Sequence, residues 1–350
     1  MRAVVLRGGR LDVRETPDPV PGEGELLLRT LATAICASDV HFMDHHDAVP
    51  AGGPAGMVYD PDRDIVLGHE FVGEVIGHGP GCTDQFPVGT RVTAMPILLV
   101  DGGAAGTKVI GQHPEAQGSF GELLVVNEMM ARAVHGDVSD DAVAVVDAFA
   151  VGEFYVRSSK IEPGEVPIVI GAGAVGLSAV AALAARGIDP IVVSDYNTGR
   201  LDLAAQFGAH VLVDAADESP FDVWRRIQKE RWITKPAVVF ECVGAPGLLQ
   251  HIVDDCEMWT RIFAAGGWYT GDTLDCTKAT HRGVEIQFGG GPHPEDWYGT
   301  LDAVCEGRLD PLPAIGKVIG LDEVPEALEL TRRSQGPPRI VVHPNAGAAT

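Results

Sequence analysis

The sequence is short of basic residues and of long apolar runs. Its 350 residues include 26 Lys and Arg against 49 Asp and Glu, a formal net charge of −23 at pH 7. A chain this acidic is a poor partner for nucleic-acid phosphates or anionic lipid. No apolar stretch reaches the roughly 18 residues of a membrane-spanning helix, and the apolar run at residues 3–6 is too short for a signal peptide. We therefore expect a soluble cytoplasmic protein that binds neither nucleic acid nor membrane.

Cysteine is sparse and widely spaced. None of the six cysteines forms a CxxC pair, so in a chain of this length without a secretion signal we expect no disulfide framework. The six are Cys36, Cys82, Cys242, Cys256, Cys276 and Cys305. The length suggests about two domains and a sizeable core.

Two patterns divide the chain near residue 155. Before it, short strands alternate with turns rich in Gly and Pro, which predicts a β-rich domain. From about residue 160, short apolar runs alternate with helical stretches, a pattern typical of a parallel sheet with right-handed crossovers. Strands are predicted at 2–6, 25–34, 71–77, 166–170, 191–194, 211–214, 237–240, 261–265 and 339–343. Helices are predicted at 177–185, 200–207 and 322–331, and a surface loop at 101–119.

A glycine-rich turn opens the second pattern. Gly171, Gly173 and Gly176 form a GxGxxG motif between a predicted strand and helix, and Asp195 ends the next strand at the expected spacing of about 20 residues. The glycines allow a tight turn, close approach of a pyrophosphate and close helix packing, while the helix amino terminus attracts phosphate. Asp195 favours NAD because its charge repels a 2′-phosphate. The predicted contacts are Gly171, Gly173, Ala174, Val175, Gly176 and Asp195.

Two short motifs in the first half carry metal-ligating side chains. They are Cys36-Ala-Ser38-Asp39-Val-His41 and Gly68-His69-Glu70. With four further segments, their order and spacing resemble the zinc-dependent medium-chain alcohol dehydrogenases over the whole chain. Those segments are Asp147–Gly152, Pro87–Val92, Gly118–Glu122 and Glu241–Gly244.

The resemblance implies an α/β protein of two domains. A GroES-like, β-rich catalytic domain is expected at 1–155 and 290–350. A Rossmann domain with a doubly wound parallel sheet, which binds NAD, is expected at 156–289. Dimers and tetramers are usual in the family, so a homodimer or homotetramer is expected.

The resemblance also implies the metal site. Cys36, His69 and Asp147 are expected to bind one catalytic Zn²⁺, which accepts mixed S, N and O ligands. Glu70 is expected beside the metal, or as an alternate ligand, and Asp39 is expected to orient the histidine. The family's structural zinc uses four closely spaced cysteines, and this chain has no cysteine between Cys82 and Cys242, so one zinc per chain is expected. The loop histidines His45 and His46 are not expected to form a second metal site.

Catalytic and further cofactor roles follow from the same resemblance. Ser38 is expected to hydrogen-bond the alcohol oxygen, and His41 is expected to pass the proton to solvent. Arg200 is expected at the adenosine ribose and Arg339 at the pyrophosphate. The remaining expected cofactor contacts are Val243, Gly266 and Phe288.

The predicted activity is reversible, NAD- and zinc-dependent oxidation of a secondary alcohol or vicinal diol to a ketone. A polyol, a sugar or a primary alcohol is an alternative substrate within the family. A metal-free quinone or enone reductase is a second alternative, and a non-catalytic redox sensor that binds dinucleotide is a third. The sequence predicts neither the identity of the substrate nor its stereochemistry.

Overall fold

The structure is a computed structural model that describes residues 1–45, 56–269 and 271–345. Contacts divide the chain into two units, one formed by residues 1–147 and 301 onward, the other by residues 148–300. The domain limits near 155 and 290 stay a prediction. Among the described residues, no helix is long and apolar enough to cross a membrane.

Strands in the described residues are β1 (Arg2–Arg7), β2 (Arg10–Glu15), β3 (Glu25–Ala34), β4 (Ile65–Val66), β5 (Glu70–His78), β6 (Arg91–Ala94), β7 (Ile97–Leu99), β8 (Thr107–Val109), β9 (Leu123–Asn127), β10 (Ala131–Ala133), β11 (Pro167–Ile170), β12 (Val192–Asp195), β13 (Val211–Asp214), β14 (Val238–Glu241), β15 (Arg261–Ala264), β16 (Glu285–Phe288), β17 (Ile315–Ile319) and β18 (Arg339–Val342). The helices are α1 (Ala37–Asp44), α2 (Asp140–Ala144), α3 (Val146–Ser159), α4 (Ala174–Ala185), α5 (Thr198–Gln206), α6 (Pro220–Arg231), α7 (Leu248–Asp255), α8 (Cys276–Arg282), α9 (Pro294–Cys305) and α10 (Val324–Arg332). Short 3₁₀ helices lie at Val100–Gly103, Glu128–Met130, Leu312–Ala314 and Leu321–Glu323.

The first unit is built around the long strand β3. Its sheet has the order β10-β6-β5-β3-β18-β17, and β9 also pairs with β3. At the end of β3, Ala34 lies opposite Glu70 of β5 on one side and Val341 of β18 on the other. This register brings three segments that are far apart in sequence to one point of the sheet. Apolar clusters that include Leu6 and Leu28 pack the unit.

The second unit is a six-stranded parallel sheet with the order β13-β12-β11-β14-β15-β16. Its central strands are buried on both faces, which explains their continuous apolar sequence; Ile168, Val169 and Val239 are fully buried. The strand order reverses direction between β11 and β14. Ligands bind at such a reversal, at the carboxyl ends of the strands.

The sequence located nine of the eighteen strands and three of the ten α-helices in the described residues. Strands β3 and β13 have the predicted bounds, and α4 starts three residues earlier than predicted. The prediction of a surface loop at 101–119 is wrong, because this segment contains β8 and buries Ile110 and Ser119. Strand β16 and helix α1 are among the elements that were not predicted, because runs of four and eight residues are too short to show a clear apolar period.

Candidate active site

Helix α1 places three of the candidate residues at the end of β3. Cys36 stands just before the helix in an extended conformation, and its backbone N–H donates to the Asp39 carboxylate at 3.0 Å. Asp39 is fully buried, and Phe42 and Met43 anchor the helix in the core. Ser38 and Asp39 in the first turn of this short helix therefore reach His69, the residue just before β5.

Three potential metal ligands converge there. Ligand atoms of Cys36, His69 and Glu70 all lie within 4.8 Å of one another, and they form the one such group found in the part of the chain that the structure describes. His69 and Glu70 are buried, at 7% and 1% exposure. A thiolate, an imidazole and a carboxylate together form a donor set that suits Zn²⁺.

Asp39 fixes the orientation of the His69 ring. Its Oδ1 lies 3.1 Å from Nδ1 of His69, so a carboxylate that can only accept holds a proton on Nδ1, and Nε2 is the nitrogen that would bind a metal. Burial alone would lower the pKa of His69, but Asp39 and Cys36 raise it well above its ordinary value. The Ser38 hydroxyl lies 3.1 Å from Nε2 and thus on the metal-facing side of the ring.

Charge is concentrated around the thiol of Cys36. Burial alone would raise its pKa, but the neighbouring His69 and Arg339 bring the pKa down to about 6. Arg339 is 3% exposed and donates to Glu70 Oε1 and to the Ile35 carbonyl, at 3.1 and 3.0 Å. Burial raises the pKa of Glu70 well above its usual range, against the pull of Arg339.

One oxygen of Glu70 supports the fit of a cation. Glu70 Oε2 is buried without a hydrogen-bond partner in the described residues. An unpartnered buried carboxylate oxygen is costly, and it lies in the same group as the sulfur of Cys36 and the imidazole of His69. The residues present therefore fit a divalent metal.

Two other predicted residues of the first unit, Asp147 and His41, stand outside this group of three ligands. Asp147, in the first turn of α3, is not one of the three clustered ligands, but its charge acts on the pKa of Glu70 and Arg339. His41 is half-buried, and burial together with the nearby His45 lowers its pKa. His46 lies outside the described residues.

The glycine-rich turn joins β11 to α4 in the second unit. Gly171 has a φ of +92°, and a side chain on Gly176 would collide with the Gly171 carbonyl. No side chain among the described residues caps α4, so the N–H groups of Ala174 and Val175 at its first turn are available to phosphate. This arrangement suits a dinucleotide pyrophosphate.

Asp195 lies at the end of β12, beside this turn. Its two carboxylate oxygens accept N–H bonds from Ala172 at 2.7 Å and Asn197 at 2.8 Å. Arg200 follows in the first turn of α5, which Asn197 caps. The carboxylate is thus held in place by backbone donors, with capacity left to accept further hydrogen bonds.

The remaining predicted cofactor residues follow other strands of the same sheet, except Arg339. Val243 follows β14 and is 48% exposed, and Phe288 ends β16 and is 58% exposed. Gly266 follows β15, with its backbone packed against that of Gly244. Phe288 and Trp268 contact each other edge to face and line an apolar cavity of about 320 Å³. Arg339 belongs to the first unit, where its hydrogen bonds go to Glu70 and Ile35.

Sequence reasoning missed two features of these sites. It did not anticipate the buried ion pair between Arg339 and Glu70, whose members are far apart in the chain. It also gave no role to Glu241, which is fully buried at the end of β14. The available signal was a glutamate at the end of an otherwise apolar strand.

Comparisons with known proteins agree with this architecture. Residues 22–135 match the family model described as "Alcohol dehydrogenase GroES-like domain", and residues 174–306 match "Zinc-binding dehydrogenase". The chain is 28% identical to the L-threonine 3-dehydrogenase of Enterobacter sp. (strain 638), over 92% of this chain and 93% of that protein.

Two solved structures share the fold over nearly the whole chain. The 2R,3R-butanediol dehydrogenase of Bacillus subtilis aligns with a TM-score of 0.81 at 24% identity, covering 98% of this chain and 99% of that one. The galactitol-1-phosphate dehydrogenase of Escherichia coli aligns with a TM-score of 0.82 at 21% identity, covering 98% and 100%.

A GroES-like domain combined with a Rossmann domain defines a two-domain oxidoreductase of the medium-chain dehydrogenase type. The chain belongs to the zinc-type alcohol dehydrogenase family of the medium-chain dehydrogenases/reductases. The predicted family and fold class are thereby confirmed.

Proposed function

We propose that this protein is an NAD- and zinc-dependent dehydrogenase that oxidises a secondary alcohol or vicinal diol to the ketone, reversibly. The observation that carries the proposal is the buried group of Cys36, His69 and Glu70, with Asp39 behind the histidine. A purely structural cluster would not need three metal-ligand types within 4.8 Å of one another, with a buried carboxylate oxygen that has no partner in the described residues.

Cys36, His69 and a carboxylate would hold one zinc ion. Glu70 is the carboxylate gathered with them, and Asp147 stays a candidate from the resemblance. When bound, zinc would lower the pKa of a substrate hydroxyl, and NAD would take up the hydride. Arg339 would offset part of the negative charge that Cys36 and Glu70 bring to the site.

Ser38 and His41 would handle the proton that leaves the alcohol. The Ser38 hydroxyl, next to Nε2 of His69, can hydrogen-bond a substrate oxygen. His41 lies three residues along α1 and has a lowered pKa, so it is neutral and able to accept a proton near pH 7. A neutral half-buried imidazole suits transfer from the site to solvent.

Asp195 supports NAD as the cofactor. Hydrogen bonds from Ala172 and Asn197 hold its carboxylate at the carboxyl end of β12, where it would accept the ribose hydroxyls and repel a 2′-phosphate. The glycine turn of Gly171 and Gly173 and the uncapped start of α4 would hold the pyrophosphate.

The relatives favour a secondary hydroxyl group as the substrate. L-threonine carries one at its third carbon and 2,3-butanediol carries two, and the enzymes named for them resemble this chain. A polyol, a sugar or a primary alcohol is the alternative within the family. We also propose a homodimer or homotetramer and a cytoplasmic location.

The test is a survey of alcohols with the purified protein. NADH formation would be followed with L-threonine, 2,3-butanediol, simple secondary and primary alcohols and polyols, together with the zinc content per chain. We expect one zinc, turnover of a secondary alcohol with NAD, loss of turnover on chelation and recovery on adding zinc.

Other results would favour the alternatives. Protein that stays zinc-free when zinc is supplied, and reduces quinones or enones, would be a metal-free reductase. Tight NAD binding with no turnover of any alcohol or carbonyl compound would favour a redox sensor. Two zinc ions per chain would contradict the single site.

A further inference from the structure

Glu241 is a buried carboxylate that the proposed reaction does not use. It ends β14, is fully buried, and its Oε1 accepts N–H bonds from Val243 at 2.7 Å and Gly244 at 2.8 Å. Its backbone carbonyl accepts N–H bonds from Ala265 and Gly266 at 2.7 and 2.9 Å. Glu241 thus ties the turn after β14 to the turn after β15.

These turns pack closely against the first glycine of the cofactor turn. A Cβ on Gly171 would lie 2.6 Å from Cγ2 of Val243. Gly244 has a φ of +74°, and a Cβ there would lie 2.5 Å from the Gly267 carbonyl oxygen. The turns after β11, β14 and β15 therefore pack against one another, and the buried Glu241 side chain is held by the N–H groups of the middle turn.

The sheet order indicates which part of a dinucleotide would lie over this surface. Asp195, on β12, takes the adenosine side, and the glycine turn after β11 takes the pyrophosphate. A dinucleotide that crosses the reversal point extends its other half over the ends of β14 and β15. That half carries the nicotinamide ring, which is positively charged in the oxidised cofactor and neutral in the reduced one.

We propose that Glu241 holds a negative charge beneath the nicotinamide end of the site and strengthens the binding of NAD⁺ relative to NADH. The inference rests on the proposed NAD dependence. Glu241 Oε2 is buried without a hydrogen-bond partner in the described part of the chain, and a nearby cationic ring would compensate such an oxygen.

The local donors keep this carboxylate able to ionise. Burial raises the pKa of Glu241, while the backbone N–H groups of Gly244, Val243 and Gly266 oppose that rise. A positively charged ring above the turn would act in the same direction as these donors. The negative charge is therefore best supported when the oxidised cofactor is bound.

The test measures binding rather than turnover. Dissociation constants for NAD⁺, NADH and ADP-ribose would be measured for the zinc-loaded full chain and for Glu241→Gln, which keeps the acceptor oxygen and loses the charge. Asp214→Asn is the matched control, since Asp214 ends β13 and accepts the Ala216 N–H at 2.9 Å. This control also replaces a carboxylate by an amide at the end of a strand, but on β13 at the opposite edge of the sheet from β16.

We expect the ratio of the NAD⁺ to the NADH dissociation constant to rise roughly fivefold in Glu241→Gln. The ratio should stay within about twofold in Asp214→Asn, and ADP-ribose affinity should be the same in wild type and Glu241→Gln. An unchanged ratio in a Glu241→Gln protein that binds ADP-ribose normally would overturn the inference and leave the proposed function intact. Wild-type protein that binds no NADH would instead refute the proposed function.

Misfolding of Glu241→Gln would appear as lost ADP-ribose affinity. The pair Glu241→Asp and Glu241→Asn then replaces it, because the two side chains have the same length and differ in charge. The Asp variant should have the lower ratio of NAD⁺ to NADH dissociation constants. Equal ratios in the pair would contradict the role of the charge.

Discussion

Replacing Asp39 with Asn tests whether the carboxylate behind His69 sets the metal affinity. Asp39 Oδ1 lies 3.1 Å from His69 Nδ1, and its other oxygen accepts the Cys36 N–H at 3.0 Å. An aspartate can only accept at Nδ1, so the ring presents a free lone pair at Nε2. An asparagine that keeps the bond from Cys36 would turn its amide N–H₂ toward Nδ1, which moves the ring proton to Nε2.

The expected loss follows from that change of tautomer. Removing an outer carboxylate from a metal-bound histidine typically weakens metal binding 10- to 100-fold, which corresponds to about 1.4–2.7 kcal/mol. The substitution also removes a charge that raises the pKa of His69. In metal-free protein we therefore expect the pKa of His69 to fall in Asp39→Asn, because burial then acts with less opposition.

The assay is the zinc dissociation constant, measured by competition with a chromophoric chelator, together with the NMR titration of His69 in metal-free protein. Asp44→Asn is the matched control on the same helix. Asp44 pairs with Arg332 at 2.7 Å, and both side chains are about one-third exposed. Such a surface pair contributes about 0–1 kcal/mol to stability and should leave zinc affinity unchanged.

One result would refute the reasoning about Asp39. If folded Asp39→Asn bound zinc within about twofold of wild type, the carboxylate would not control the imidazole. An unchanged pKa of His69 in the same variant would point the same way. Equal losses of zinc affinity in Asp39→Asn and Asp44→Asn would indicate that any substitution in α1 weakens zinc binding.

Four further predictions concern the proton path, the thiol, the cofactor and the buried ion pair. His41→Gln should slow turnover more near neutral pH than at high pH, because the lowered pKa keeps His41 a neutral acceptor until hydroxide can replace it; a constant rate ratio across pH would contradict the relay. In metal-free protein, the rate of Cys36 alkylation should reach half its maximum at a pH near the thiol's pKa of about 6 and fall below that pH. Bound zinc should prevent the alkylation, and peptide mass spectrometry can measure both. Asp195→Ser should reduce the preference for NAD over NADP, in kcat/KM, by about tenfold, and an unchanged preference would remove Asp195 from cofactor selection. Arg339→Met should lower the free energy of unfolding of the metal-free protein, measured in urea, by about 3–5 kcal/mol. Adding Glu70→Gln should recover part of that loss, and no recovery would contradict the importance of the Arg339–Glu70 pair.

The sequence predicted those parts of the fold that repeat a simple local pattern. The parallel strands of the second unit are short apolar runs bounded by turn residues, and the glycine motif marks where the first of them ends. Strand β16 was missed because it has only four residues and lies largely exposed at the edge of the sheet, so it forms no continuous apolar run. The segment 101–119 was assigned to a surface loop from its glycines, although Ile110 and Ser119 are buried.

The candidate site was predictable residue by residue, but its pairings were not. The motifs around Cys36 and His69 pointed to metal ligands through their resemblance to a family. The contact of Arg339 with Glu70 depends on the sheet order, in which β18 lies next to β3. A sequence pattern carries no information on that distant register. That Asp147 binds the metal, with Glu70 beside it or as an alternate ligand, stays a prediction.

The register of β3 explains why the metal-ligand group is both buried and highly charged. Ala34 pairs with Glu70 and with Val341, so the backbone itself brings Cys36, the start of β5 and the start of β18 together. Buried ionisable side chains such as those of Cys36, His69, Glu70 and Arg339 cost more stability than apolar residues of the same size would. A divalent cation would offset that cost by neutralising the anionic ligands, and its binding free energy would then add to the free energy of unfolding. The first unit should accordingly be stabilised by zinc, and the sheet, rather than any single loop, would determine the geometry of the site.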